Sequence, residues 1–189
     1  YTLANAFVRS GAGNLTAGWA LMVAYADATE PWRNLSIYTG FGMVRPQQPG
    51  AFNLSGFVTP PAPAPVRAAL GGVIYDGDDD IGSDQMRVNG TQLAFDPHEP
   101  ANNFFRSRIT DMGDLVEGRT PNAVNNLGFE WKRFDASSLI DNGDTSALVE
   151  FYTSTTSEQF ILGGFTAAIE LCTPDVQIVK SVENVSRPG

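Results

Sequence analysis

The chain has 189 residues, and 21 acidic against 12 basic side chains give it a net charge of -9 and a pI of about 4.4. That balance repels phosphate backbones, which excludes general nucleic-acid binding, and no apolar run approaches the roughly 20 residues that span a bilayer. A single His and a single Cys exclude a multi-histidine zinc site, a CxxC redox pair and any internal disulfide, although a chain of this length can bury a core without them.

Strands and turns follow one another along the chain. Tyr1 to Val8 reads as a strand, and because Tyr1 is not a start methionine the expectation is a mature or clipped chain. Trp19 to Tyr25 is an apolar run between Gly18 and Asp27, the profile of a buried strand with Trp19 in the core. Leu35 to Val44 alternates around Gly40 and Gly42, which predicts a strand with a bulge. Phe52 to Val58 gives another strand. The prolines at 60, 61, 63 and 65 then forbid a sheet ladder, because proline lacks the donor, and predict an extended surface crossing. Val66 to Tyr75 returns to strand before the acidic loop Asp76 to Asp84.

Gln85–Val88 and Thr91–Phe95 flank Asn89-Gly90, a strong two-residue hairpin signal. Asn103–Ile109, Gly128–Phe134, Ser146–Thr153 and Gln159–Leu171 complete the strands, and Asp135 to Asp141 has room for one helical turn capped by Asp135. Roughly ten to twelve short strands with little helix predict an all-β fold, a β-sandwich or jelly roll. The expected organisation is a sandwich over residues 1–173, lacking its N-terminal strands, and an extended strand or linker over 174–189.

The sharpest chemical feature is the loop Asp76-Gly77-Asp78-Asp79-Asp80-Ile81-Gly82-Ser83-Asp84. Five carboxylates in nine residues repel one another unless water or a cation separates them. Asp76, Asp78 and Asp80 alternate as calcium loops do, with Asp84 or a remote Asn or Asp completing the shell. The EF-hand pattern fails, since its glycine position holds Ile81 and its bidentate glutamate position holds Arg87. Two readings stand: a Ca2+ loop of the β-sandwich kind, and a solvated acidic turn. Asp141-Asn142-Gly143-Asp144 reads as a turn shaped by its own side chains, and Asp111, Asp114 and Glu117 form a looser acidic patch.

Catalytic signals are sparse. His98 sits between two prolines, with no G-x-S-x-G elbow to supply a nucleophile, and reads as an exposed loop histidine. Cys172 lies at a strand end. Gly71-Gly72 and Gly163-Gly164 lie inside strands and make no phosphate loop. Trp32 and Trp131 are the aromatic candidates for stacking on a sugar ring, Trp32 as an exposed loop residue and Trp131 with its facing undecided. Sequons begin at Asn14, Asn34, Asn53, Asn89 and Asn184.

Several segments resemble a module of large secreted bacterial surface proteins, the kind that precedes immunoglobulin-like repeats of unknown function. They are Tyr1 to Asn5, Ala17 to Tyr25, Pro31 to Phe41, Asp76-Gly77-Asp78, Gly82-Ser83-Asp84, Asn102 to Ser107, Asn125 to Phe129, and Asn142 to Ser146. Pro174 to Ser181 is similar to the opening strand of the following repeat. The resemblance covers most of the chain and brings no catalytic residues. It implies an extracellular, cell-surface, adhesive or structural role in a long chain.

The functional expectation is therefore a non-enzymatic extracellular module of a bacterial surface protein or filament. It would self-associate or join neighbouring domains, with the alternating Val176, Ile178 and Val179 as a strand donated to an open sheet edge, and calcium would rigidify the Asp76–Asp84 loop. The alternatives are a calcium-dependent carbohydrate-binding module and, third, a glycosidase built on paired carboxylates. Charge is unevenly placed: residues 1–75 hold two acidic and four basic side chains, residues 76–189 nineteen and eight.

Overall fold

A computed structural model describes Ala4 and residues 17–154, 156 and 158–171. The expected strand at Tyr1–Val8 (Ala4 apart), Cys172, and the assembly strand with Val176, Ile178 and Val179 lie outside the described residues. Within them the fold is all-β, with ten strands, no helix, and two sheets arranged as a β-sandwich.

The strands are β1 (Arg33–Val44), β2 (Gly50–Ser55), β3 (Ala68–Tyr75), β4 (Gln85–Val88), β5 (Thr91–Gln92), β6 (Ile109–Asp111), β7 (Asp114–Leu115), β8 (Phe129–Asp135), β9 (Ser146–Tyr152) and β10 (Phe160–Glu170). One sheet has six strands in the order β1-β10-β3-β8-β6-β7, and the other has four in the order β2-β9-β4-β5. All pairs are antiparallel except β6 with β8. The bulge expected in β1 is present as a register shift between Thr39 and Gly42. It lets the strand bend at residues whose side chains ask for no room. Asn89 (φ 49°) and Gly90 (φ 79°) form the tight turn between β4 and β5, the left-handed pair that a two-residue hairpin demands.

Between the sheets lies a core rich in phenylalanine. Phe104, Phe105, Phe134, Phe151, Phe160 and Phe165 are all buried, and Phe105 and Phe160 bring their ring centroids to 4.5 Å. Burying each ring contributes about 1.5–3 kcal/mol by transfer from water. The 59–65 stretch carries no strand, as its prolines require. Its ends are tied to the turn at 141–144: Asn142 Nδ2 donates to Pro60 O and Ala64 O at 2.7 and 2.8 Å, and Thr59 Oγ1 donates to Asp141 O at 2.6 Å. Within the turn itself the Asp141 amide donates to Asp144 Oδ2 at 2.9 Å, the side chain to backbone shaping expected of it.

Three expectations are corrected. Residues 17–26 form no strand, and Trp19 is 50% exposed, not core. The segment instead crosses the outer face of the six-stranded sheet, where Gly18 meets Phe129 and Tyr75 and Met22 meets Gly164. Residues 103–108 are loop, although Phe104 and Phe105 are fully buried: a loop can contribute core side chains without a ladder. Residues 135–141 form a turn without helix, in which Asp135 Oδ1 accepts from the Ser137 amide at 2.9 Å.

Candidate functional site

Strand alternation decides which side chains enter the sandwich. On β8 the inward set is Glu130, Lys132 and Phe134, all buried, while Phe129, Trp131 and Arg133 face outward. The interior therefore receives two charged residues from one strand, and it receives more from loops. Asp84 ends the acidic loop, Glu99 comes from the 96–100 turn, and Glu158 lies two residues before β10; each is at most 1% exposed. Among the described residues, four buried carboxylates face one buried ammonium.

Lys132 neutralises part of this set. Its Nζ lies 3.0 Å from Glu99 Oε1 and 3.0 Å from Glu130 Oε2, and Thr110 Oγ1 also donates to Glu99 Oε1. Burial pulls the ammonium down, but Glu130 and Glu99 outweigh it and hold Lys132 above its ordinary value. Burial pushes Glu130 up, against the pull of Lys132. Glu130 also reaches the loop, where its Oε1 fills the space beside the Gly77 Cα.

Asp84 and Glu158 form no such ion pair among the described residues, although the Lys132 charge pulls Asp84 down a little. Asp84 Oδ1 accepts from the Phe105 amide at 2.6 Å, whereas Oδ2 has no hydrogen-bond partner. Burial pushes this carboxyl up to about 7, against the Phe105 amide. Both oxygens of Glu158 are buried without a hydrogen-bond partner. Burial, with the charges of Asp84, Asp78, Glu130 and Asp76, pushes it up to about 9. Asp78 is raised by its own burial and then by the charges of Asp76 and Asp80.

Short hydrogen bonds fix the surrounding backbone. The Ser83 amide donates to Asn102 O, and the Ser83 and Thr153 hydroxyls stand 3.0 Å apart. Ser107 Oγ donates to Gly77 O and accepts from the Gly128 amide at 2.6 Å. Asp76 (φ 70°) and Ser83 (φ 103°) hold left-handed conformations at the two ends of the loop, a strain that the network around them maintains.

The predicted loop carboxylates thus separate by position. Asp84 is fully buried, Asp76 and Asp78 are half-buried, Asp80 is exposed, and Asp79 pairs with Arg106 and Arg108 at 3.0 and 2.9 Å. Sequence reasoning missed Glu130 and Glu158. For Glu130 the available signal was its two-residue spacing from Lys132, whose side chain shares its face of β8, whereas Glu158 lies in the loop before β10. His98 is half-buried, with Arg108 Nη1 3.2 Å from its Nδ1.

Trp32, just before β1, is 74% exposed, and Trp131 is half-buried on the outer sheet face. The residue row through Trp131 crosses β3 at Val73, β10 at Gly164 and β1 at Thr39. The two indoles therefore belong to different rows and make no common platform. A groove of about 410 Å³ runs along this face, between the 18–22 segment and β1, lined by Trp19, Met22, Ile37, Phe41 and Tyr75 among others. Among the described residues its walls carry no acidic side chain. Phe41 stacks on Tyr75 with centroids 6.0 Å apart, yet is itself 79% exposed. No family model matches the chain, and no curated protein aligns with it.

Proposed function

We propose that the chain is a non-catalytic, extracellular β-sandwich module of a bacterial surface or filament-forming protein, and that it works by self-association through β1 and the outer face of the six-stranded sheet. The observation that carries this reading is an apolar surface where a monomer would carry charge. Trp19, Tyr25, Leu35, Ile37 and Phe41 all stand exposed there. Among the described residues β1 ends its sheet with β10 as its strand partner. It has twelve residues with Arg33 as its one charge. Natural sheet edges are usually blunted by lysine, proline, bulges or brevity, and beyond the bulge at Thr39–Gly42 this one has none of these protections. The resemblance to secreted surface modules supports the same compartment and role.

Sedimentation velocity over a range of protein concentrations tests it. The expected result is a mass that rises with concentration and falls back to the monomer in Tyr25→Ser/Phe41→Ser, two exposed positions whose change leaves the core intact. A wild-type chain that stays monomeric at every concentration contradicts the proposal. A second reading, carbohydrate binding, is favoured by the exposed Trp32. It predicts a saturable change in tryptophan fluorescence with oligosaccharide that Trp32→Ala abolishes.

A further inference from the structure

Glu158 is 1% exposed, and neither of its carboxylate oxygens meets a hydrogen-bond partner. Asp84 is fully buried with Oδ2 in the same condition. Glu158 interacts electrostatically with Asp84, Asp78, Glu130 and Asp76, and Asp84 with Glu130. These groups come from four places: the loop after β3, the residue before β4, the second residue of β8 and the loop before β10. Burying an ionised carboxylate without a partner costs several kcal/mol, so this gathering of carboxyls can ionise at low cost only with a positive charge there. The described protein side chains do not supply it. Lys132 is already shared by Glu99 and Glu130, and Arg106 and Arg108 are both drawn to Asp79.

We propose that a calcium ion binds at the end of the sandwich where the 76–84 loop meets Glu158, with Asp84, Glu158 and Asp78 as its carboxylate ligands and Asp76 and Glu130 adding negative charge around it. The donor set decides the metal class: oxygen alone, without imidazole or thiolate, suits a hard cation and not zinc or copper. Calcium accepts six to eight oxygens in flexible geometry, whereas magnesium demands a near-ideal octahedron and keeps several waters. Among the described residues, no group of three acidic, His or Cys side chains is already arranged to hold a metal. Binding therefore turns side chains toward the ion, and backbone carbonyls and water complete the shell. The exposed Asp80 lies outside this set. The site is independent of the apolar face, so either can fail alone.

The test is calorimetric titration of the full chain with calcium chloride, with thermal unfolding in calcium and in chelator. Wild type is expected to bind one calcium and to melt higher in calcium than in chelator, in keeping with selective binding to the folded state. Glu158→Gln and Asp84→Asn each weaken binding by about 10- to 100-fold, and Asp80→Asn leaves it unchanged. Because Glu158→Gln removes the cost of holding a buried carboxyl without a counter-charge, it melts higher than wild type in chelator, which separates lost binding from lost folding. No saturable heat with calcium overturns the proposal. So does a folded Glu158→Gln that binds as tightly as wild type, or an Asp80→Asn that alone loses binding.

Discussion

Lys132 Nζ stands 3.0 Å from Glu99 Oε1 in the interior of the sandwich, with the two side chains 2% and 1% exposed. A charge in that position is tolerated because it is matched, and Glu130 Oε2 at 3.0 Å adds a second match. Lys132→Met leaves two carboxylates without their cation and is expected to cost about 3–5 kcal/mol. Lys132→Met/Glu99→Gln/Glu130→Gln removes the mismatch along with the pair and recovers most of that loss. Urea unfolding of wild type, single and triple variants decides it: an equal loss in single and triple contradicts a charge-matching role.

Gly77 is held to glycine by its neighbours. A Cβ there would stand 1.8 Å from Glu130 Oε1 and 2.7 Å from Phe105 O, so the loop and the buried carboxylate cannot both keep their places. Gly77→Ala is expected to lose at least about 1–3 kcal/mol, the usual cost of overpacking. Gly40→Ala, where nothing lies within 4 Å, stays near wild type. Chemical denaturation of the two variants side by side checks the contrast.

Strand alternation and turn chemistry made most of the fold legible. The bulge at Gly40 and Gly42, the Asn89-Gly90 hairpin and the proline crossing are local properties of their own residues, and each formed where expected. Residues 17–26 misled because an apolar run reads alike whether it fills a core or covers the outside of a sheet. On β8, Phe129 and Trp131 alternate with Glu130 and Lys132, and hydrophobicity alone turns the charged pair outward. Only the meeting of Lys132 with Glu99, 33 residues away in sequence, makes the charged face the buried one. The gathering of Asp84 and Glu158 is equally non-local, so the acidic loop showed one half of the candidate site and hid the other.

The cation-free protein is expected to lose stability as pH rises. Unfolded, Asp84 and Glu158 release their protons near pH 4; folded, they retain them up to about 7 and about 9. Asp84 is faced by Glu130 and Lys132, and Glu158 by Asp84, Asp78, Glu130 and Asp76. Between those limits the folded state binds more protons than the unfolded one, so stability is fully present below pH 4 and is lost through pH 7 and then pH 9. In chelator the melting temperature should fall by about 10 °C or more from pH 5 to pH 9. Asp84→Asn/Glu158→Gln flattens that dependence. A melting temperature that rises across this range contradicts the buried, unmatched state of the two carboxyls.

Hydrogen exchange read by mass spectrometry at increasing protein concentration tests most directly whether β1 and the outer sheet face are the surface of association. Residues 17–25 and 33–43 are predicted to gain protection as concentration rises, while β9, already paired on both sides by β2 and β4, stays unchanged. Protection that is independent of concentration, or that rises at residues 146–152 and not at 33–43, would contradict it.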